Sequence, residues 1–218
     1  MSAPDWFAVI DATWPAADFH RVAGWIVREG QGGGKRVSAA SGSGDISEAE
    51  AAQRALGQDL LFMIQDGQNA LDTELEDRGY QIIDPVVVLA RSLRSETIPA
   101  SPSEGATDAS LSIWDKGGIG PARRAVMDRA NGPKTVVQQD GGVAFVSCHD
   151  DVAMIHALEV DAAYRRQGVG AELEHTASAW APTRKIAALT VENNIASRRL
   201  FQNAGYCVVS RYHYRIKL

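Results

Sequence analysis

Residues 158–173, "LEVDAAYRRQGVGAEL", decide what fold the chain adopts. An apolar strand ends at Val160, a short turn follows, and a helix begins near Gly168. Backbone N–H groups at a helix N-terminus attract an anion, and glycines leave no side-chain bulk over them. Arg165 and Arg166 add positive charge at the same place, and arginine suits bidentate phosphate contacts. The stretch therefore predicts a cradle for a phosphate group, most simply a pyrophosphate.

Two other nucleotide-binding interpretations fit less well. The spacing Gly168-x-Gly170 alone is a weak signal, because the third glycine of a dinucleotide fingerprint would fall at Leu173. "GQGGGK", residues 30–35, lacks the complete phosphate-loop pattern and precedes a predicted strand instead of a helix. We therefore expect no nicotinamide cofactor, and we interpret the glycine-rich segment as a flexible turn.

The segments around the opening stretch alternate between strand and helix. A helix is predicted from Pro121 to the stop signal Asn131-Gly132-Pro133, and a hairpin is predicted around Asp140-Gly141-Gly142. The predicted strands are 134–139, 143–149, 152–160, 185–191 and 206–218, and the later helices are 168–181 and 196–205. The predicted order is α-β-β-β-α-β-α-β.

These residues resemble the GNAT N-acetyltransferase superfamily. Arg165, Gly168 and Gly170 supply its acetyl-CoA motif, Arg/Gln-x-x-Gly-x-Gly/Ala, and "NIASRRLFQNAGY" (194–206) is similar to its second signature. The resemblance covers about residues 111–218. It implies an α/β (α+β) fold with a GNAT-like mixed, mostly antiparallel sheet and helices on both faces, preceded by a smaller β-α-β-α-β-like region.

The resemblance also implies acetyl-CoA as co-substrate. In such proteins the backbone of Leu158 and Val160 would pair with pantetheine, and Asn194, Ser197 and Phe201 would lie beside the thioester arm. The pyrophosphate cradle would comprise Arg165, Arg166, Gln167, Gly168, Val169, Gly170 and Ala171.

A segment of the N-terminal part is similar in pattern to a segment of the C-terminal part. When Gly79-Tyr80 is aligned with Gly205-Tyr206, an offset of 126 residues, the predicted strands align with strands and the predicted helix aligns with a helix. A duplication and two unrelated β-α-β pieces both explain this pattern. We expect residues 1–94 to be a degenerate GNAT-like region, 95–110 a linker and 111–218 the acetyltransferase domain. Upstream, "KRVSAAS" (35–41) is predicted as a strand, and Ser47 with Glu50 as a helix capping box.

His156 and Glu159 are the candidate general bases. The segment around His156 resembles the arylalkylamine acetyltransferases, whose strand carries a catalytic histidine at the matching position, although their companion histidine is Met154 here. Glu159 points to the opposite face of a regular strand unless a bulge redirects it. The alternatives are a packed structural histidine and a solvated or Arg-paired carboxylate.

The acid that protonates the departing thiolate has several candidates. Family members often have Tyr at position 201, and Phe201 has no proton to give. Tyr212, Tyr214 or water would replace it, or the protein is a non-catalytic acyl-CoA-binding protein. Strict alternation in the last strand predicts Tyr212 and Tyr214 on a packed face and Arg211, His213 and Arg215 on a solvated one.

The composition of the chain limits the classes of partner that we expect it to bind. A formal net charge of −5 argues against the broad basic face of a nucleic-acid-binding protein. No apolar run reaches the roughly 18–20 residues of a membrane helix, and the N-terminus lacks a signal-peptide pattern. Cys148 and Cys207 are interpreted as packing residues. We therefore expect a cytoplasmic protein with no nucleic-acid, membrane or metal partner. The sequence leaves the amine acceptor and the oligomeric state open.

Overall fold

The computed structural model describes residues 4–93 and 105–218. Its α-helices are α1 (Trp6–Thr13), α2 (Ile46–Ala55), α3 (Asn69–Asp77), α4 (Asp108–Lys116), α5 (Pro121–Arg129), α6 (Val169–Trp180) and α7 (Ile195–Asn203). Its strands are β1 (Asp18–Val22), β2 (Trp25–Glu29), β3 (Ser41–Gly42), β4 (Leu60–Gln65), β5 (Gln81–Ser92), β6 (Lys134–Gln139), β7 (Gly142–His149), β8 (Val152–Val160), β9 (Lys185–Val191) and β10 (Cys207–Lys217). Short 3₁₀ turns occur at Lys35–Val37 and Ala162–Tyr164. None of the described helices is long and apolar enough to cross a membrane.

Seven strands form the main sheet, in the order β4-β10-β5-β9-β8-β7-β6. All neighbours are antiparallel except β8 and β9, which are parallel. A smaller sheet has the order β1-β2-β3. The predicted fold class is confirmed, and the C-terminal elements follow the predicted order from α5 to β10.

The helices cover both faces of the main sheet. On β7, Ala144 and Val146 pack in the cluster that includes Leu173 of α6 and Phe201 of α7. Alternate residues of β7, among them Phe145, pack on the other face with Trp14, Trp114 and Val126, which the α1 C-cap, α4 and α5 supply. The two faces of β7 thus meet different helices, and the site described below lies where β8 separates from β9 between these layers.

Two N-terminal strands, β4 and β5, are part of the main sheet. β10 lies between β4 and β5, and β5 lies between β10 and β9. α3 and α7 begin at Asn69 and Ile195, and β5 and β10 begin at Gln81 and Cys207, so each pair is 126 residues apart. The offset equals the one in the sequence alignment. A common origin of the two parts, and the division at residues 94 and 111, stay predictions.

The predicted linker lies largely outside the described residues. Residues 94–104 are not described, and Asp108–Ser110 form the first turn of α4. The Thr107 side chain caps this helix by accepting a hydrogen bond from the Ser110 backbone N–H. A Thr-Asp pair is a good helix start, so the polar residues Thr107 and Asp108 reflect a helix cap.

Three predictions were wrong, two of them in the N-terminal part. Residues 35–41 do not form a strand, because Gly34 at φ 96° turns the chain into the 3₁₀ turn. α2 is capped by Asp45, whose carboxylate accepts the Ser47 N–H at 2.9 Å, and not by Ser47. Cys207 is exposed, whereas Cys148 is buried as predicted.

The second face of β10 is solvated at Arg211, as predicted, but not at Arg215. α3 covers Arg215, which is 3% exposed. The Arg215 Nε donates to Asp72 Oδ1 at 2.7 Å, and His213 Nε2 lies 2.7 Å from the same oxygen. Alternation placed these side chains on one face correctly, but it could not show that a helix from the N-terminal part lies over them.

Candidate functional site

β8 and β9 pair along only part of their length. The parallel ladder runs from Val152↔Lys185 to Ile155↔Ala188 and then ends. Beyond it β8 stays paired with β7 as far as Val160. The backbone of β8 between Leu158 and Val160 therefore borders an opening in the middle of the sheet, where its edge can accept an extended ligand.

The turn after β8 leads into an uncapped helix. Gly168 is the N-cap of α6, has φ 90° and makes no side-chain capping bond. Only glycine adopts this left-handed conformation without strain. The first N–H groups of a helix have no intrahelical partners and carry the positive end of the helix dipole, so this helix start is suited to bind an anion.

Basic side chains surround that helix start. Arg165 and Arg166 are exposed, and Arg166 has φ 60°. The Arg165 Nε donates to the Val160 carbonyl at 3.2 Å, which holds the turn against the end of β8. Gln167 donates to the Ala163 carbonyl at 2.8 Å. The predicted cradle residues 165–171 thus form one continuous turn and helix start.

α7 approaches the opening from the other side. Asn194 caps α7 by accepting the Ser197 N–H at 3.0 Å. Phe201, two turns further along, is buried against Tyr206. Asn194, Ser197 and Phe201 all line a cavity that continues from the opening.

The cavity has a volume of about 330 Å³. Its C-terminal wall includes Ile119, Arg123, Ile155, Ala157, Leu158, Glu159, Leu189, Thr190, Val191, Asn194, Ser197, Phe201, Tyr212 and Tyr214. Its N-terminal wall consists of Trp14, Gly33, Gly34, Lys35, Arg36, Asp84 and Val86. Such a volume suits a small molecule.

Comparison with known families agrees with this geometry. The Acetyltransferase (GNAT) family model matches residues 121–206, from the start of α5 to the end of the α7 segment. The segment 121–206 is a GNAT acetyltransferase domain. The two motifs recognised in the sequence both lie inside the matched segment.

Full-length relatives extend the similarity to the N-terminal part. The "Uncharacterized N-acetyltransferase YobR" of Bacillus subtilis (strain 168) is 24% identical over 237 residues, covering 94% of this chain and 95% of that protein. A functionally unknown conserved protein from Staphylococcus epidermidis ATCC 12228 has a TM-score of 0.67 at 10% identity and covers 95% of this chain and 96% of its own. A GCN5-related N-acetyltransferase from Kribbella flavida has a TM-score of 0.59 at 16% identity, with 95% and 92% coverage. The structural matches show that both parts of the chain belong to one shared fold.

A bulge in β8 sets the direction of the candidate bases. His156 pairs with Phe145 and Glu159 pairs with Val143, so β8 has one more residue than β7 between these pairs. Ala157 takes up the extra residue with φ 51°. Its carbonyl accepts the Trp114 indole N–H at 2.8 Å. Because of the bulge, His156 and Glu159 lie on the same face of β8.

Glu159 lines the cavity and is half-buried. Burial raises the pKa of its carboxyl, while the positive charges of Arg165 and Arg123 act in the opposite direction. Gly117, at the end of α4, lies directly against it: a Cβ at this position would be 2.7 Å from the Glu159 Cδ. Any larger residue there would displace the carboxylate.

His156 lies beneath the cavity and is 2% exposed. Its Nδ1 is 3.2 Å from the Arg36 Nη1, and its Nε2 is 2.9 Å from the Thr13 hydroxyl. Arginine can only donate, so Nδ1 is the acceptor and Nε2 carries the proton that Thr13 accepts. Thr13 in turn donates to the Val9 carbonyl at 2.7 Å. Both ring nitrogens are therefore engaged within the protein.

Burial, with a smaller contribution from Arg36, holds the pKa of His156 well below its usual 6.5. A depressed folded-state pKa contributes stability above the unfolded value and loses it as the pH falls. We expect the free energy of unfolding to decrease between about pH 6.5 and 5 with a limiting slope of about 1.4 kcal/mol per pH unit. In His156→Asn this part of the pH dependence should disappear. Urea titrations across this range would measure it, and an equal slope in the variant would contradict the assignment.

Tyr212 and Tyr214 line the cavity from β10, as alternation predicted for their face. Their ring centroids are 5.4 Å apart at an interplanar angle of 90°. Burial, followed by the proximity of Tyr212, raises the pKa of Tyr214 well above 10. Tyr214 is therefore held in its neutral form.

The residues of the N-terminal wall were not among the predicted site residues. Gly33, Gly34 and Lys35 come from the glycine-rich segment that was predicted as a flexible turn. Asp84 lies at φ 44° in a bulge of β5, directly before Pro85. The clusters of glycines and the Asp-Pro pair were the available signals of irregular backbone, but neither showed where in the fold that backbone lies.

Proposed function

We propose that this GNAT protein transfers an acetyl group from acetyl-CoA to the primary amine of a small molecule or peptide, by direct attack in a ternary complex. The observation that carries this proposal is the separation of β8 from β9 beside the uncapped start of α6. A strand edge for an amide-containing arm and a helix start for a pyrophosphate lie next to each other, as a CoA ligand needs.

The residues present fit each part of acetyl-CoA. The pyrophosphate would bind at the backbone of Gly168 to Gly170 with Arg165 and Arg166 as counter-charges. The pantetheine amides would pair with Leu158 and Val160. The thioester would then lie toward Asn194 and Ser197, beside the cavity that holds the acceptor.

Glu159 is the general base that the geometry favours. It lines the cavity, whereas His156 is buried and uses both ring nitrogens for Arg36 and Thr13. Burial raises the Glu159 pKa toward the working pH, which improves a carboxylate as a proton acceptor. We assign His156 a positioning role beneath the site.

The protons and bonds of the proposed reaction can be followed step by step. Glu159 takes a proton from the ammonium, directly or through a water molecule, and the neutral amine attacks the thioester carbonyl. The new C–N bond forms, the nitrogen gives up a second proton to become the amide, and the C–S bond breaks. The thiolate of CoA takes up one proton, so one proton is released overall. Phe201 cannot supply that proton, so Tyr212 or Tyr214 on the cavity wall, or water, supplies it.

Release of the CoA thiol tests the proposal. The purified protein is incubated with acetyl-CoA and a panel of small amines and peptides, and free thiol is measured with and without each amine. Amine-dependent release would support the transferase. Saturable binding of acetyl-CoA with no release for any amine would instead indicate a non-catalytic acyl-CoA-binding protein, an alternative that the absence of a hydroxyl at Phe201 keeps open.

The two tyrosines give a matched pair of variants. Burial raises the pKa of Tyr214 well above 10, which makes it a poor proton donor, so we assign this role to Tyr212. We expect Tyr212→Phe to lower kcat about 10–100-fold and Tyr214→Phe to lower it less, with acetyl-CoA affinity kept in both. Equal kcat values for the wild type and Tyr212→Phe would assign the proton to water.

The cytoplasmic location is also part of this proposal. The two cysteines are free, and Cys148 and Cys207 lie in different environments, one buried and one exposed. Reduced cysteines and a cellular supply of acetyl-CoA fit the cytoplasm.

A further inference from the structure

Arg36 stands out among the charged residues of the cavity. It comes from the 3₁₀ turn of the N-terminal wall, and its guanidinium carbon lies 5.6 Å from the centre of the Trp14 ring. Its Nη1 donates to His156 Nδ1. Within residues 4–93 and 105–218 it has no carboxylate partner, and its Nε is shielded from solvent without an acceptor. Leaving such a donor unpaired is costly.

Two other arginines of this chain, Arg28 and Arg215, have the carboxylate partner that Arg36 lacks among the described residues. Arg28 donates from Nη1 to the Ala39 carbonyl, and its Nε and Nη2 bind the two oxygens of Asp11 at 2.8 and 2.7 Å. Arg215 donates from Nη1 to the Tyr80 carbonyl and uses Nε and Nη2 for carboxylates. In both, Nη1 binds a neutral acceptor and the opposite edge binds negative charge.

Arg36 has a neutral acceptor at Nη1, but it has no negative partner at its opposite edge within the described residues. His156 Nδ1 is the neutral acceptor for Nη1, and the low pKa of His156 keeps it able to accept. The Nε edge faces no carboxylate of the described chain. A ligand carboxylate would complete the pattern once Arg36 turns its shielded Nε toward the cavity, because the Nε–Nη2 edge matches the two carboxylate oxygens.

The charges on the cavity wall agree with an anionic ligand. Lys35 is paired with Asp84 at 3.0 Å. The other charged side chains on the wall are Arg36, Arg123 and Glu159, of which two are positive and one is negative. The cavity therefore has surplus positive charge on the acceptor side, separate from the basic residues of the cradle.

We propose that the acceptor of this enzyme is a small amine that also carries a carboxylate, and that Arg36 binds this carboxylate. The inference rests on the proposed function and names its substrate class. Because of the bulge, His156 and Glu159 share one face of β8 and lie about 7–10 Å apart along the strand. A carboxylate at Arg36, above His156, and an amine at Glu159 fit the two ends of one amino-acid-sized molecule. A single guanidinium edge fits one carboxylate charge better than the double charge of a phosphate.

Ligand-induced stabilisation tests this without requiring turnover. The melting temperature is measured with each of the proteinogenic amino acids and β-alanine, beside the carboxamide of each. We expect at least one acid to raise Tm by about 3–6 °C at ten times its dissociation constant, and its amide to have little effect. In Arg36→Gln the acid should bind about 100-fold more weakly. Arg211→Gln, which changes an exposed arginine outside the cavity, is the matched control and should keep the shift.

The outcomes separate the inference from the proposed function. No Tm shift with any acid, equal shifts with acids and amides, or an unchanged shift in Arg36→Gln would each overturn the carboxylate anchor. A parallel titration with acetyl-CoA should give the same affinity for Arg36→Gln and wild type, because Arg36 lies outside the cradle. A loss of acetyl-CoA binding in Arg36→Gln would show that it serves CoA and would also overturn the inference. Failure of the wild type to bind acetyl-CoA would instead remove the proposed function.

Discussion

Glu159→Gln should lower kcat/KM for the amine by about 100–10,000-fold while leaving acetyl-CoA affinity within about twofold of wild type. Removal of a general base has an effect of this size, and glutamine keeps the shape of the side chain without accepting a proton. The wild-type rate should rise with pH through a pKa above the ordinary glutamate value of 4.5, because burial raises the pKa of Glu159 and only the ionised form is a base. Thiol release at saturating acetyl-CoA measures both effects.

The same variant should not lose stability. A raised folded-state pKa gives stability that is present below the unfolded pKa and is lost as the pH rises through the folded value. At neutral pH the ionised Glu159 is therefore in an unfavourable environment, and the variant with its uncharged glutamine side chain should unfold at an equal or higher temperature. Glu48→Gln, at an exposed position of α2 away from the cavity, is the control. Wild-type kcat/KM in Glu159→Gln would exclude Glu159 as the base.

Arg165→Ala combined with Gly170→Glu should weaken acetyl-CoA binding at least about 100-fold. The first change removes a charge-assisted donor, and the second places a carboxylate where the pyrophosphate would bind. The fold should tolerate both changes. Arg165 is exposed, and a Cβ on Gly170 would meet the flexible end of Leu200 at 3.3 Å as its nearest neighbour. Calorimetry of the variant and circular dichroism of its folding would measure the two expectations.

Gly120→Glu is the matched control for the cradle. Gly120 is the N-cap of α5, has φ −77°, and has open space around a Cβ. The substitution adds the same carboxylate at the start of another helix, so it tests whether the position matters or only the added charge. We expect acetyl-CoA affinity within about threefold of wild type for this control. Equal weakening in both variants would contradict a local pyrophosphate site.

The C-terminal elements were predictable because local patterns determine them. The apolar run of β8 and the glycines before α6 mark boundaries that the structure keeps within about two residues. The bulge at Ala157 was not predictable in this way. It depends on pairing with β7 and on the bond from Trp114 to the Ala157 carbonyl, both of which join residues distant in sequence. Alternation alone therefore left the direction of Glu159 undecided.

The N-terminal wall was missed for a related reason. Trp14, Arg36 and Asp84 reach the cavity from three separate N-terminal elements, and the last of these, β5, enters the sheet between β9 and β10. That exchange joins strands about a hundred residues apart or more, and no short motif marks it. Arg36 in particular has no neighbouring pattern that identifies it as a binding residue, and its importance becomes visible only through its bond to His156.

Calorimetric titration of the wild-type protein with acetyl-CoA decides whether the opening between β8 and β9 is a CoA site. We expect saturable binding of one acetyl-CoA per chain, since this opening lies beside the uncapped start of α6 and the two together match one ligand. CoA without the acetyl group should also bind, because the cradle and the strand edge contact parts that both molecules share. Absence of binding by protein that is folded and monodisperse would contradict the proposed site and, with it, the transferase function.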